Sequence, residues 1–190
     1  IEDDLAWLGL SWPTPVRRQS VHLADYAAML DRLIQMGVVF RCPRTRKELA
    51  EAAAGAPQAG DAADPFAAPT LPRLSESEVE RRIADGESFA WRFDPAAAAR
   101  LLAGRVPVFE ADGVRHAADP FRLGQTILAR KDAPASYHLC VVHDDALQGV
   151  TDVIRGEDLA GAAHLHVTLQ ALLDLPVPRY RHHRLLTGAD

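Results

Sequence analysis

The feature that most constrains this chain is a repeated change of hydrophobic period, from helical stripes to short strand-like runs and back. In "SVHLADYAAMLDRLIQMG", Leu23, Tyr26, Leu30, Leu33 and Met36 share one stripe, and Gly37 sits where a C-terminal glycine cap belongs. "VVF" (Val38 to Phe40) reads as a short strand and "RTRKELAEAA" as another helix. In "LSESEVERRIADG", Ser75 and Glu78 form a capping box, Val79 and Ile83 the apolar face, and Gly86 the stop. "SFAWRF" alternates as a strand does. Asp94 then caps a helix that has Pro95 at its first position and closes at Gly104. "TILAR" (Thr126 to Arg130) is a further strand. From Tyr137 the pattern is a short helix ending at Gly149, then the strand "VTDVIRG". "AAHLHVTLQALLDLP" is a helix stopped by Pro176. Strands alternating with helices predict an α/β fold with a mainly parallel sheet.

Two stretches stand apart from this alternation. "IEDDLAWLGLSW" carries Ile1, Leu5, Leu8 and partly Trp7 at helical spacing, and Pro13 and Pro15 end that unit. Residues 50–72 hold ten Ala, four Pro and two Gly, a composition that cannot support a core and predicts a flexible insertion. The expected organisation is thus a first part over 1–49, the insertion over 50–72 and the remainder of the same domain over 73–190. A chain of 190 residues with 48% apolar residues can bury a sizeable core.

A net charge of -5 excludes a generic polyanion binder, so contact with nucleic acid would need a local patch. Two such clusters exist: "RCPRTRK" (Arg41, Arg44, Arg46, Lys47) and "PRYRHHR" (Arg179, Arg181, Arg184), where Tyr180 adds a stacking face. Either cluster could equally be solvated surface. The two cysteines, Cys42 and Cys140, lie too far apart in sequence to suggest a disulfide scaffold, and a reducing cytoplasm is the expected setting. No apolar run reaches transmembrane length and no basic-then-apolar leader is present, so a soluble protein with no membrane role is expected.

The chemistry-bearing residues concentrate in "YHLCVVHDDALQGVTDVIRGEDL", Tyr137 to Leu159. Arg155 lies at the carboxyl end of a predicted strand, where ligands bind in open α/β sheets. A guanidinium there can grip a carboxylate through two parallel hydrogen bonds, or it can pair with Asp152, Glu157 or Asp158. Tyr137 offers an apolar body with one polar handle and reads either as a core residue or as part of that site. Asp144 and Asp145 could be paired carboxylates for a metal or for acid–base work, but capping or solvent exposure is the preferred reading. His138, His143, His164, His166, His182 and His183 never reach the spacing of a zinc or nucleophile site, and His182-His183 reads as a solvated edge. No glycine-rich phosphate loop is present.

Read whole, "SYHLCVVHDDALQGVTDVIRGEDL" resembles the late catalytic-domain block of class I glutamyl-tRNA synthetases. The resemblance continues in order through "LQALLDLPVPRYRHHRLL" after it, and through "LAWLGLSW", "VRRQSVHLADYAAMLDRLIQMG" and "RTRKEL" before it. Gln148 and Val141 are most similar to the short branch of that family, the glutamyl-Q tRNA(Asp) synthetases. The resemblance implies a Rossmann-type class I aminoacyl-tRNA synthetase catalytic domain, partial here, with an inserted loop. It implies ATP-dependent activation of L-glutamate, with ATP and Mg2+, and transfer of the glutamyl group to queuosine at the wobble position of tRNA(Asp). It also implies a monomeric cytoplasmic enzyme. The alternatives left open are the catalytic domain of an ordinary glutamyl-tRNA synthetase and a non-catalytic remnant that binds tRNA or glutamate.

The family's two late glutamate-binding positions fall on Tyr137 and Arg155, and tRNA contacts are assigned to Arg41, Arg44, Arg179 and Arg181. The HIGH-like and KMSKS-like motifs that bind ATP are expected outside these residues. Glu2-Asp3 only superficially matches the family's early glutamate contact, and the piece alone is expected to be inactive. The family's zinc site is reduced to Cys42: Arg44 stands at the second cysteine, and Phe66 and Thr70 at the later tyrosine and cysteine. One ligand cannot make a tetrahedral site, so no zinc is expected.

Overall fold

The structure is a computed structural model that describes residues 1–54, 70–131, 133–186 and 188. Helix α1 (Glu2–Trp7) starts with three acidic residues in its first turn, which suit the positive end of the helix dipole. Its apolar stripe is largely exposed, with Ile1 at 94% and Trp7 at 84%, and only Leu5 is partly buried. Helix α2 (Leu23–Gln35) buries Tyr26, Met29, Leu30 and Leu33. It ends at Gly37, whose φ of 70° lets its N–H reach Ile34 O while the Val38 N–H reaches Leu33 O. That left-handed turn needs a residue without a Cβ penalty, so the chain reverses cleanly into strand β1 (Val39–Cys42).

Helix α3 (Arg46–Ala54) begins with a reciprocal box: Thr45 Oγ1 accepts from the Glu48 N–H, and Glu48 accepts from the Thr45 N–H. The helix extends five residues into the stretch read as a flexible insertion, and Leu71 near its far end is buried. Alanine-rich sequence is helix-forming when a cap starts it. Residues 55–69 of that expected insertion lie outside the described residues. Helix α4 (Glu76–Ala84) has half of its expected box. Ser75 accepts from the Glu78 N–H, but the Glu78 carboxylate turns to Arg81 at 2.8 Å.

Strand β2 (Ala90–Phe93) leads through Asp94, which caps α5 (Pro95–Leu101) by accepting from the Ala97 N–H at 3.0 Å. Strands β3 (Val108–Ala111) and β4 (Val114–Ala117) form a hairpin around Asp112 and Gly113, both at positive φ. Then follow β5 (Ile127–Arg130), α6 (Tyr137–Leu147), β6 (Asp152–Gly156), α7 (Ala162–Leu173) and β7 (Arg179–His183).

The strands form two sheets, one ordered β1-β2-β5 and one ordered β4-β3-β7-β6. The expectation of a mainly parallel sheet is corrected here. Among the described residues only β3 with β7 and β6 with β7 pair in parallel, and the other three pairings are antiparallel. Alternation of helices and strands in sequence says nothing about which strands become neighbours. Parallel pairing needs a crossover, and α7 supplies one between β6 and β7. By contrast β1 and β2, separated by two helices, meet antiparallel.

Helix α7 is the keel of the molecule, with ten of its residues buried. Leu165, Leu169, Leu172 and Leu173 join the large core with α2, β2 and α6. Ala163 and Val167 join Phe109 and Tyr180 in the smaller core of the four-stranded sheet. A helix with cores on both sides cannot be amphipathic, and its polar residues His166, Thr168 and Gln170 are buried with the rest.

Candidate functional site

The parallel pair β6–β7 presents its carboxyl end at Arg155 and Gly156, in register with His182 and His183. A Cβ on Gly156 would fall 2.3 Å from Asp158 Oδ1 and 3.0 Å from Leu185, so any larger residue there requires those side chains to shift. Its neighbour Arg155 is only 9% exposed, although its β6 predecessor Ile154 is 71% exposed. Strand alternation thus turns an arginine inward, an arrangement that requires partners.

Those partners are unusual. The guanidinium lies 5.1 Å from the centre of the Tyr180 ring, and Nη1 donates to His166 Nδ1 at 3.1 Å. None of Asp152, Glu157 and Asp158 takes it. Asp152 binds Arg179 instead, at 2.8 Å. Nε and Nη2 are shielded from solvent and have no partner among the described residues. Those two nitrogens form the straight edge of the guanidinium that matches a carboxylate.

Tyr137 is the first residue of α6, started by Ser136, whose Oγ accepts from the Leu139 N–H. It is 48% exposed, and no hydrogen bond or ring contact joins it to Arg155 among the described residues. The two residues meet through His166, whose ring centre is 6.0 Å from that of Tyr137. His138 completes the group, with its Nδ1 3.0 Å from His166 Nε2. Burial, and then the charge of Arg155, hold the pKa of His138 below and that of His166 well below the ordinary imidazole value. Asp145, two turns further along α6, is pushed up by burial against the pull of Arg155. Burial pushes Tyr180 up to about 12. A cleft of about 720 Å³ reaches Tyr137 and His138 from α3, bordered also by Leu49, Ala53, Leu71 and Gln125.

His138 and His166 were thus missed as members of the site. Their spacing fits no metal or nucleophile pattern, because their role is toward an arginine and not toward an ion. The position of His166 midway along an otherwise apolar helix was the available signal.

Asp144 neither caps a turn nor faces solvent, as one reading had it. It is 6% exposed and accepts from Tyr26 Oη at 2.7 Å and from Arg17 Nε at 2.8 Å, with His143 Nδ1 at 3.0 Å. Burial pulls its pKa up, but His143, Tyr26 and Arg17 outweigh that and hold it below the usual carboxylate value. Its work is to tie α6 to the segment before α2.

The basic clusters lie on different sheets, one at β1 and the other on β7. Arg41 pairs with Glu80 and Arg179 with Asp152, while Arg44 donates to Pro72 O. Arg181 and Arg184 are exposed. Tyr180 is 2% exposed and therefore offers no stacking face. His182 is no solvated edge either: its Nδ1 meets Asp112 Oδ2 at 3.1 Å, and its Nε2 is buried. The charges of "RYRHH" concealed a half-buried strand.

Cys42 is buried in β1 and Thr70 is exposed. Phe66 lies outside the described residues. Among the described residues no group of three His, Cys, Asp or Glu is placed to hold a metal ion, and no helix is long and apolar enough to cross a membrane.

Two solved structures share this fold. One is a glutamate tRNA ligase from Elizabethkingia meningosepticum in complex with its amino acid, with a TM-score of 0.69 at 21% identity. It covers 99% of this chain and 40% of that one. The other is the glutamate-tRNA synthetase of Elizabethkingia anophelis, with a TM-score of 0.71 at 21% identity, again over 99% of this chain and 40% of that one. In sequence, the chain is 42% identical to a glutamyl-Q tRNA(Asp) synthetase of Rhodobacter capsulatus, over 97% of this chain and 67% of that protein. It is 36% identical to that of Nocardia farcinica, over 98% of this chain and 56% of that protein. The chain spans little more than half to two thirds of the length of such relatives. The family described as tRNA synthetases class I (E and Q), catalytic domain, matches residues 1–190. With an inward arginine at the end of a parallel strand pair, the matching fold and a match over its full length, the chain belongs to the class I tRNA synthetase (E and Q) catalytic-domain family.

Proposed function

We propose that this chain forms the amino-acid-holding part of a ligase that activates L-glutamate with ATP and transfers the glutamyl group to queuosine of tRNA(Asp). The observation that carries the reading is Arg155, a buried cation whose Nε–Nη2 edge has no partner among the described residues. Such an edge suits the side-chain carboxylate of glutamate. A fixed cation in a water-poor site also rejects glutamine, which is neutral and would leave the charge unmatched. Tyr137 lines the approach from the cleft and offers its hydroxyl to the same ligand. The names of the relatives support the tRNA(Asp) branch over the ordinary glutamyl branch.

ATP and its Mg2+ supply the adenylating chemistry in this reading, and this chain's residues bind and orient the amino acid. The exposed Arg181 and Arg184 are the cations best placed to meet a phosphate backbone, since Arg41 and Arg179 already hold carboxylates. Zinc has no part in the reading. The protein acts as a monomer in the cytoplasm.

The test is glutamate-dependent ATP–pyrophosphate exchange by the full-length protein. Arg155→Ala is expected to raise the KM for glutamate by at least roughly a hundredfold, the cost of a buried bidentate charge pair. Unchanged glutamate dependence in that variant defeats the assignment. Charging of queuosine-containing tRNA(Asp), compared with tRNA(Asp) lacking queuosine and with tRNA(Glu), decides the acceptor.

A further inference from the structure

We propose that His166 is a positioning residue for Arg155, a neutral acceptor that fixes the guanidinium while leaving its charge free for the ligand carboxylate. This rests on the reading of Arg155 as the glutamate-binding cation.

The direction of the hydrogen bonds follows from their chemistry. A guanidinium carries donors only, so Arg155 Nη1 must donate across the 3.1 Å contact and His166 Nδ1 must be unprotonated. A neutral imidazole then has its proton on Nε2, and that N–H can only donate to His138 Nδ1, 3.0 Å away. His138 in turn carries its own proton on Nε2 and borders the cleft. Three side chains from β6, α7 and α6 are therefore aligned in one sense, Arg155 to His166 to His138, and no member can reverse without breaking the file.

The placement decides which face of Arg155 remains available. His166 takes Nη1, the Tyr180 ring lies against the guanidinium at 5.1 Å, and Nε with Nη2 remain. A carboxylate in place of His166 would orient the arginine equally well but would neutralise it, and the cation could then no longer discriminate a charged ligand from an amide. An aliphatic residue would leave Nη1 without an acceptor in a buried site, and the guanidinium would turn to find one. A buried neutral histidine is the arrangement that orients without neutralising. His166 is 2% exposed, so solvent does not compete for either ring nitrogen.

Variants of the full-length protein test this in the exchange assay, read as KM for glutamate against kcat, and as preference for glutamate over glutamine. His166→Asn can place an oxygen near the Nδ1 position and is expected to stay within about threefold of the parent KM. His166→Leu is expected to raise that KM roughly ten- to hundredfold with little change in kcat, as loss of a hydrogen bond to a charged group implies. His166→Glu is expected to raise it similarly and to erode the preference for glutamate. If His166→Leu does not fold, Asn against Glu carries the comparison, and equal KM values overturn the proposal. It is also overturned if Leu stays within about twofold of the parent, or if Asn is as impaired as Leu, since His166 would then act by packing alone. Arg155→Ala separates the two levels. If it raises KM and His166→Leu does not, only the positioning role falls. If Arg155→Ala leaves KM unchanged, the glutamate assignment falls and the positioning role with it.

Discussion

Replacing Tyr26 by phenylalanine isolates one bond in the hub that fastens α6 to the start of the chain. The Tyr26 hydroxyl donates to Asp144 Oδ2 at 2.7 Å, and the two residues are 0% and 6% exposed. Burial, reinforced by the hydrogen bond to Asp144, pushes the phenol up to about 12, so it is a proton donor at every working pH. Phenylalanine keeps the ring and its edge contact with His143 at 5.4 Å, so no cavity larger than a hydroxyl is created. What is lost is a buried hydrogen bond to an ionised carboxylate, worth about 1.5–3 kcal/mol. Asp144 retains Arg17 and His143, which places the loss toward the lower end, about 1.5–2 kcal/mol. For a domain of this size that corresponds to a fall in Tm of roughly 3–8 °C. Urea unfolding of the full-length protein followed by far-UV circular dichroism measures it. Asp144→Asn and the double variant complete a cycle, with an expected coupling of about 1 kcal/mol or more. A Tyr26→Phe protein within about 0.5 kcal/mol of the parent, or strict additivity in the cycle, refutes the hub.

Stability is also expected to fall in acid in two stages. His166 and His138 have folded pKa values below the unfolded value of about 6.5, so the unfolded chain binds more protons in that window. Their contribution is therefore complete above about pH 6.5 and declines as pH drops. Asp144, whose folded pKa lies below about 4, adds a second loss as pH falls through that value. A Tm that stays flat from pH 7.5 to 5 contradicts the first stage, and a His166→Asn protein with an unaltered slope assigns it elsewhere. Metal analysis of the purified full-length protein is expected to find no stoichiometric zinc, and one zinc per chain overturns the reading that Arg44 disables the family's ligand set.

Much of the fold was legible because caps and glycines punctuate it: Gly37, Ser75, Asp94 and Gly149 each end or begin an element where the pattern placed it. The hairpin at Asp112-Gly113 does not stand out in the sequence even though that dipeptide is a strong turn signal, because its strands are only four residues each and β4 is interrupted by Arg115 and His116. Strand β7 was masked differently. Its inward residues are Tyr180 and His182, and the arginines between them read as a charged run. Of the site, Arg155 could be placed from its position after a strand and before glycine. That it points inward and lacks a carboxylate could not, since pairing partners are set by tertiary packing. Asp144 shows the same limit: its partners Arg17 and Tyr26 lie more than a hundred residues away.

The strand order β4-β3-β7-β6 has a consequence for how the protein is made. β7, the last of the described strands, is inserted between two that were synthesised earlier. Ala111 on β3 waits for Tyr180, roughly 70 residues further along, which at about 5–20 residues per second is some 3–14 s of translation. During that interval the hairpin, and β6 once it has emerged, present open edges with unpaired backbone groups, the kind of surface that recruits strands from other chains. Among the described strands of this sheet, unpaired edges are therefore most exposed just before β7 emerges.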